Sequence, residues 1–215
     1  MFNEIEAWEQ QRLGKFTSSE IWKLMGNGRV KGNPFSQTAM TYIKTKAAEL
    51  ITGERTPDVN SNAIEYGRSM ESEAFEVFNR LLPDLGAVHY GISVPKFYEY
   101  GDFAGGSPDG ETGLDEAVIE IKCPYNSTNH IVHLLLNDGN DLKAECEDYY
   151  WQVQANMLFT GRHKAYFISY DPRVVKFEHR IKVLEVYADE HDKIKERIDL
   201  AAGVLSDILT TIKYF

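Results

Sequence analysis

The segment from Ser107 to Pro124, SPDGETGLDEAVIEIKCP, constrains the fold more than any other part of the chain. Between Ala117 and Cys123 polar and apolar residues alternate, which predicts an extended strand with two different faces. One face is apolar throughout. The other carries Glu120 and Lys122, so a carboxylate and an ammonium project from the same side of the strand.

Turn residues before this strand predict a second strand beside it. Pro108–Gly110 is one turn signal, and Gly113 lies in another just before the alternating residues begin. We therefore expect Asp109 at the end of the first strand, within side-chain reach of Glu120 on the second. Two carboxylates would then converge beside Lys122.

Such a pair of carboxylates needs a cation or a shared proton. At a separation of about 4 Å and an effective dielectric constant of about 20, two like charges repel by roughly 4 kcal/mol. All-oxygen ligation favours magnesium or manganese, and carboxylates with a lysine can support metal-dependent phosphodiester chemistry. The alternative is a surface turn followed by a solvated edge strand.

Length and composition indicate one globular domain over residues 1–215, since the chain is 43% hydrophobic and shows no internal repeat. The charged amino-terminal segment does not resemble a signal peptide and no long apolar run is present, so we expect a cytoplasmic protein with no membrane contact. Cys123 and Cys146 are too few for a disulfide framework and are expected to be reduced core residues. The net charge of -10 argues against nonspecific DNA coating, although a local basic channel remains compatible with it.

The TSSE segment predicts a helix amino terminus near the start of the chain. Thr17 and Glu20 fit a capping box that opens a short helix through Met25. Free backbone N–H groups and hydroxyls at such an end can hold a phosphate, and Arg12 lies close in sequence. Simple helix capping is the alternative.

A strong helical pattern from Asn62 to Leu82 places a carboxylate on its apolar stripe. Glu71 has apolar residues and a glycine as its helical neighbours, so it is expected to point inward, whereas Glu73 is expected to point to water. A buried carboxylate requires a cation or a metal. Glu71 is therefore a candidate third ligand.

Periodicity and turn residues predict the remaining elements. They are helices over Trp8–Leu13, Ser36–Leu50, Asp141–Thr160 and Asp189–Ile212, strands over Ala87–Pro95, Tyr98–Gly105, Ala165–Asp171 and Val175–Val183, and an exposed loop over Gly26–Pro34. The Gly105 and Gly106 pair is expected to allow close approach of another backbone. The last helix is expected to pack on the domain or on another subunit.

Two pairs of polar residues carry weaker signals. Either Gln152 or Gln154 is expected to reach the site while the other stays exposed. His130 and His133 lack a partner with zinc-like spacing and are interpreted as surface or core histidines.

The chain resembles the YqaJ-type viral recombinase family, which includes the phage lambda exonuclease and belongs to the PD-(D/E)XK nuclease superfamily. The resemblance rests on WEQQRLGKFTSSE from Trp8, YGRSMESEA from Tyr66, SPDG with IEIKCP, and YYWQVQANMLFTG from Tyr149, in this order across residues 8–172. It implies an α/β (α+β) fold with a central mixed β-sheet flanked by helices and a restriction-endonuclease-like core. Residues 175–212 lie outside it and are assigned to packing or oligomerisation.

The resemblance also implies a role for individual residues. It makes Glu71, Asp109 and Glu120, with the Ile121 backbone carbonyl, the ligands of two magnesium ions, for which manganese can substitute. Lys122 takes the place of the catalytic lysine. Residues assigned to the 5′-phosphate and DNA are Arg12, Ser19 and Thr17, and those assigned to support of the site are Gln152, Gln154 and Tyr149.

The resulting hypothesis is a magnesium-dependent 5′-to-3′ exonuclease that digests one strand of linear double-stranded DNA and leaves 3′ single strands for recombination. The resemblance further implies a homotrimer, a single-strand annealing protein as partner, and a phage or prophage protein in a bacterial cytoplasm. The alternatives are an endonuclease of the same superfamily, a non-catalytic DNA-binding module and, last, a carboxylate-pair hydrolase acting on sugars.

Overall fold

The computed structural model describes residues 2–29, 32, 34–56, 62–91 and 95–213. The predicted loop over Gly26–Pro34 and the predicted strand over Ala87–Pro95 lie partly outside these residues. The helices and strands are α1 (Phe2–Arg12), β1 (Phe16–Thr17), α2 (Gln37–Thr52), α3 (Asn62–Leu81), β2 (Val88–His89), β3 (Tyr98–Tyr100), β4 (Ala104–Gly106), β5 (Gly110–Glu111), β6 (Val118–Lys122), α4 (Ser127–Leu135), α5 (Gly139–Glu145), α6 (Glu147–Thr160), β7 (Lys164–Tyr170), β8 (Ile181–Tyr187) and α7 (His191–Lys213). Short 3₁₀ helices cover Ser18–Leu24, Pro83–Leu85 and Phe177–His179.

The larger sheet has the strand order β2-β5-β6-β7-β8 and is mixed. β5 pairs with β6 antiparallel, β6 with β7 parallel, and β7 with β8 antiparallel. The prediction of two neighbouring strands around the SPDG and IEIKCP motifs is therefore confirmed. The predicted α/β fold with a mixed sheet flanked by helices is confirmed as well.

Both faces of β6 are buried, which makes it a central strand. Val118 faces the main core, to which α2, α6 and α7 contribute. Ile119 and Ile121 pack in a second core against Ala74 and Phe78 of α3. Each such side chain contributes about 1.5–3 kcal/mol through burial. The interpretation of this segment as a solvated edge strand is wrong, because helices cover it on both sides.

A smaller sheet with the order β1-β4-β3 lies beside the first. The predicted single strand over Tyr98–Gly105 is instead an antiparallel pair, since Gly101, with φ of +56°, turns the chain between β3 and β4. The predicted close approach is confirmed at Gly105, where an added Cβ would lie 2.7 Å from the backbone oxygen of Tyr98.

α2 and α3 agree with their sequence signals, whereas α1 begins at Phe2, before the predicted Trp8. Ser36 caps α2 by accepting a hydrogen bond from the backbone N–H of Ala39, and Gly53 ends it in the left-handed conformation. α3 covers the predicted segment to within one residue. The predicted helix over Asp141–Thr160 is wrong as a single element, because the backbone of Cys146 is non-helical (φ −141°, ψ 60°) and separates α5 from α6.

The carboxyl-terminal part differs from prediction in one strand. The second strand begins at Ile181, not at Val175, because residues 171–180 form a loop with a short 3₁₀ helix before the antiparallel pairing starts. α7 packs on the rest of the protein through buried side chains that include Ile194, Ile198 and Leu205. Within the described residues, none of the helices combines the length and apolar character that crossing a membrane requires.

Candidate active site

The hairpin of β5 and β6 fixes Asp109 opposite Glu120. The backbone N–H of Asp109 donates to the carbonyl of Ile119 at 3.0 Å. Its carboxylate Oδ2 accepts from the backbone N–H of Ile121 at 2.6 Å. Since the N–H and the C=O of a strand residue point to the same side, the Ile121 carbonyl also points to the Asp109 side of β6. Sheet pairing thus brings together residues that are far apart along the hairpin.

Glu120 is buried and both of its carboxylate oxygens accept hydrogen bonds. Oε1 accepts from Nζ of Lys122 at 2.7 Å and from Nε2 of Gln152 at 2.6 Å. Oε2 accepts from Nδ2 of Asn156 at 2.9 Å. Gln152 and Asn156 are four residues apart on α6, which places them on one face of that helix. The buried charge therefore has one cation and two amides as partners.

Lys122 is held between a carboxylate, an amide and an aromatic ring. Its ammonium also donates to Oε1 of Gln152 at 3.1 Å and lies 4.8 Å from the ring centre of Tyr149. Burial alone would lower the pKa of Lys122, but the Glu120 and Asp109 carboxylates outweigh this and raise it. Lys122 is therefore an ammonium at neutral pH in this arrangement.

Negative charge exceeds positive charge around these strands. Burial, followed by the Glu120 and Glu71 carboxylates, raises the pKa of Asp109 well above its usual range. Burial also raises the pKa of Glu120, although Lys122 partly offsets the shift. A cation at these carboxylates would relieve the repulsion that the shifted pKa values express.

Glu71 of α3 reaches the same region from the other side of the sheet. Its side chain is 18% exposed, and its Oε1 lies 2.9 Å from Nε2 of His89, whose ring stacks on Phe75 with 4.8 Å between ring centres. Glu73 is exposed, as predicted, and accepts from the hydroxyl of Tyr170. Glu71 thus faces inward, with a histidine partner that sequence reasoning missed.

One cleft of about 260 Å³ joins residues from distant motifs. It lies where α1, the TSSE segment, α3 and the SPDG motif meet. Its walls include Trp8, Arg12, Ser18, Ser19, Arg68, Glu71, Tyr90, Ser107, Asp109 and Gln152. The structure therefore brings the predicted phosphate-binding residues Arg12 and Ser19 to the same cleft as the predicted metal ligands Glu71 and Asp109.

The TSSE segment forms a 3₁₀ helix, not the capped helix that the sequence predicts. Thr17 makes no capping hydrogen bond, and Glu20 pairs with Lys23. Thr17 is buried, with its backbone N–H bonded to the Tyr42 hydroxyl, because β1 runs directly into the helix. Thr17 therefore does not line the cleft, whereas its neighbours Ser18 and Ser19 do.

Arg12 is positioned by aromatic contact. The guanidinium carbon lies 4.3 Å from the centre of the Trp8 ring, and Trp8 Nε1 donates to Oγ of Ser107 at 2.8 Å. Both residues line the cleft. The first helix is thus tied to the SPDG motif at the point where the cleft opens.

Gln154 lies away from the site. It is fully buried, its Nε2 donates to the carbonyl of Tyr187 and its Oε1 accepts from the backbone N–H of Asp189. The expectation that one of the two glutamines would stay exposed is wrong, because α6 is buried on nearly all sides. His130 and His133 are core residues, as one of the two interpretations had it.

The carboxylate and carbonyl oxygens of the site fit a hard divalent cation. The candidate ligands do not yet converge on one point. Within the described ranges, no three His, Cys, Asp or Glu side chains already converge on one point. Glu71 is engaged by His89, and Glu120 by Lys122 and two amides. A cation would compete with His89 and Lys122 for these oxygens, and its charge would offset the repulsion among the Asp109, Glu120 and Glu71 carboxylates.

Solved structures that share the fold of this chain include exonucleases. An alkaline exonuclease from Laribacter hongkongensis, LHK-Exo, shares 23% identity with a TM-score of 0.77, and the match covers 97% of this chain and 96% of that one. Its complex with dAMP gives 22% identity and a TM-score of 0.76 over 97% and 96% of the two chains. A phage-related exonuclease from Haemophilus somnus 129PT gives 16% identity and a TM-score of 0.71 over 92% and 96%.

The family follows from the sequence itself. A model of the YqaJ-like viral recombinase domain matches residues 7–163, which contain the TSSE segment, Glu71, Asp109, Glu120 and α6. The chain belongs to the YqaJ-like viral recombinase family. Comparison with curated proteins gives no match.

Proposed function

We propose that the protein is a magnesium-dependent exonuclease that digests one strand of linear double-stranded DNA from its 5′ end and leaves 3′ single strands. Family membership and the fold shared with exonucleases support a DNA exonuclease. The proposal of magnesium dependence and of action from the 5′ end rests on one cleft. Glu71, Asp109, Arg12 and Ser19 all line it. It combines oxygen ligands for a cation with donors for a phosphate.

Glu71, Asp109, Glu120 and the Ile121 carbonyl would hold the magnesium ions. Once bound, the metal would lower the pKa of a coordinated water and neutralise charge on the leaving oxygen. Carboxylates that repel one another in the free protein are suited to this, since Lys122 offsets only part of their charge and the cation would offset the rest. Manganese, which also takes oxygen ligands, is expected to substitute.

Lys122 is proposed to hold and orient the attacking water. Its ammonium, bonded to Oε1 of Glu120 at 2.7 Å, can donate a hydrogen bond to the water and stabilise developing charge. Gln152 and Tyr149 restrict its position from two sides. Asn156 and Gln152 in turn fix Glu120, so α6 positions both charged residues of the IEIK motif, Glu120 and Lys122.

The end specificity is proposed to come from Arg12 and Ser19. An arginine beside a hydroxyl can bind a terminal phosphate through charge-assisted hydrogen bonds, and the Trp8 ring orients the guanidinium for that contact. A 5′-phosphate held there would place the adjoining phosphodiester toward Asp109 along the same cleft. The enzyme would then act only where a 5′ end exists.

The biological setting is proposed on family grounds. We infer that the enzyme works as a homotrimer in the cytoplasm of a bacterial host, as part of phage-type homologous recombination. The 3′ strands that it leaves would be handed to a single-strand annealing protein.

The test compares linear duplex labelled at either 5′ or 3′ ends with covalently closed circles, with magnesium and with a chelator. The expected result is magnesium-dependent release of nucleotides from 5′ ends, intact circles and a preference for 5′-phosphorylated ends. Arg12→Gln should remove that preference. Cutting of closed circles would instead establish the endonuclease alternative, and magnesium-dependent release from 3′ ends alone would refute the polarity.

A further inference from the structure

A cluster of Tyr66, Tyr125 and Arg173 lies outside the cleft and has no part in the mechanism above. The two tyrosine rings meet edge to face at a centroid distance of 5.7 Å. The guanidinium carbon of Arg173 lies 4.8 Å from the centre of the Tyr66 ring. We call these three residues the tyrosine–arginine platform.

The arginine of the platform is rigidly placed. Its Nε donates to Oδ1 of Asp171 at 2.8 Å and its Nη2 to Oδ2 at 3.0 Å. The same guanidinium donates to the carbonyls of Pro124 and Tyr125, each at 2.9 Å. It therefore clamps the loop that follows β6 to the end of β7 before any ligand arrives.

A purely structural role accounts for Arg173 but leaves the Tyr125 ring unexplained. A clamp that acts through the backbone carbonyl of Tyr125 needs no particular side chain at that position. Yet Tyr125 is 54% exposed and its ring is held against Tyr66. An ordered aromatic ring facing solvent beside a fixed guanidinium is a surface on which a nucleobase can stack.

The platform adjoins the candidate active site along two chain segments. Tyr125 is three residues beyond Lys122, at the carboxyl end of β6. Tyr66 precedes Glu71 by five residues on α3, and an added Cβ at Gly67 would lie only 3.7 Å from the Cys123 carbonyl. α3 and the loop after β6 are thus in contact where the platform stands, so a strand leaving the cleft can reach it.

We propose that the tyrosine–arginine platform binds single-stranded DNA by stacking a nucleobase on Tyr125. This inference rests on the proposed function, because it places the unpaired DNA strand that leaves the cleft on the platform. Stacking on an aromatic ring tolerates every base, which suits an enzyme that acts on any sequence. Arg173, whose charge is balanced by Asp171, contributes by holding the Tyr66 ring and the loop that carries Tyr125 in place.

The experiment measures binding of labelled single-stranded oligonucleotides by fluorescence anisotropy. A chelator is present, so that the oligonucleotides are not cleaved during the measurement. Tyr125→Ala should weaken binding about fivefold to a hundredfold. Tyr125→Phe, which keeps the ring, should bind like the wild type, and Tyr125→Leu should bind like the alanine variant. Tyr187→Ala is the matched control, since Tyr187 is 60% exposed on β8, away from the platform.

An abasic scan separates base stacking from a general loss of affinity. Replacing single bases by abasic sites should weaken binding to the wild type at one or two adjacent positions and leave binding to Tyr125→Ala unchanged at those positions. Equal binding by wild type and Tyr125→Ala, or equal loss in Tyr125→Phe and Tyr125→Ala, would overturn the proposal. If Tyr125-dependent binding is found while linear duplex is not digested, the proposed function fails and the platform stands.

Discussion

Two buried polar clusters on adjacent strands show how differently the same sheet uses polar residues. Lys122 of β6 and Ser169 of β7 are register partners in the parallel pair. Lys122 belongs to the charged cluster of Asp109, Glu120 and Glu71. Ser169 belongs to a second cluster, in which its Oγ lies 2.8 Å from Nδ1 of His130 and 2.7 Å from Nδ1 of His133.

The histidine cluster is held by hydrogen bonds among its own members. His130 Nε2 lies 2.9 Å from the carbonyl of His179 and donates to it, and in the tautomer with its proton on Nε2 the Nδ1 atom is an acceptor. The Ser169 hydroxyl then donates to His130, and its oxygen accepts from His133 Nδ1–H. Burial, the neighbouring His130 and Lys122 lower the pKa of His133 to about 4, which keeps its ring neutral.

The contrast teaches which buried polar groups are poised for a ligand. In the histidine cluster the Ser169 hydroxyl bonds both rings and the His179 carbonyl bonds the second nitrogen of His130, as expected for a buried structural network. The charged cluster has three carboxylates for one lysine and opens on the cleft through Glu71 and Asp109. Surplus like charge costs stability in the free protein, and it is the charged cluster that we assign to catalysis.

The largest expected effect is a loss of exonuclease activity when the charged cluster, but not the histidine cluster, is altered. Lys122→Ala should lower the rate of nucleotide release about 10²- to 10⁴-fold, because it removes the partner of Glu120 that is proposed to orient the water. End-labelled linear duplex gives the rate, and binding of DNA ends should persist. Lys44→Ala, at an exposed lysine on α2, is the control. Full activity in Lys122→Ala would refute the lysine assignment.

Acid should destabilise the histidine cluster. The pKa of His133 is about 4 in the native protein against an ordinary 6.5, so between these values the unfolded chain binds a proton that the native protein does not. Stability is therefore lost as the pH falls through this window, by about 3 kcal/mol for this residue. Urea unfolding at pH 7 and pH 4.5 measures it. His133→Gln should lose less stability across the window, and an unchanged loss would contradict the shift.

Ser169→Ala should affect stability and spare turnover. Removing the hydroxyl leaves buried nitrogens of His130 and His133 without a partner, which costs about 1–3 kcal/mol of unfolding free energy. Denaturant unfolding gives this value, with the exposed Ser206→Ala as control. The rate on linear duplex should stay within about threefold of the wild type. A loss as large as that of Lys122→Ala would mean that the two clusters act as one.

Local patterns in the sequence were sufficient for β6 and its flanks. The alternation at residues 117–123 predicted both faces of the strand, and the turn residues predicted the pairing that sets Asp109 opposite Glu120. The break at Cys146 was missed because apolar periodicity continues through it. A polar pair four residues apart on a buried helix, Gln152 and Asn156, was a signal for the support of Glu120 that could have been used.

Contacts between distant segments were beyond such patterns. His89 meets Glu71 only because β2 lies at the edge of the sheet beneath α3, and no spacing in the sequence encodes that contact. An added Cβ at Gly106 would lie 2.5 Å from Asn156 Oδ1 and 2.6 Å from Ser18 Oγ. A glycine at this point lets β4 pass between the TSSE segment and α6, and only the tertiary structure reveals this.

The most direct test of the central claim is the melting temperature of the wild type and Asp109→Asn, with magnesium and with a chelator at pH 8. Asparagine keeps an acceptor for the Ile121 N–H and removes the charge that Glu120 and Glu71 oppose. Without metal, Asp109→Asn should melt higher by about 2–4 °C, the shift that corresponds to about 1 kcal/mol. Magnesium should raise the melting temperature of the wild type alone. A lower melting temperature for Asp109→Asn in the chelator, or an equal rise of both proteins with magnesium, would contradict a charged cluster built to bind a metal.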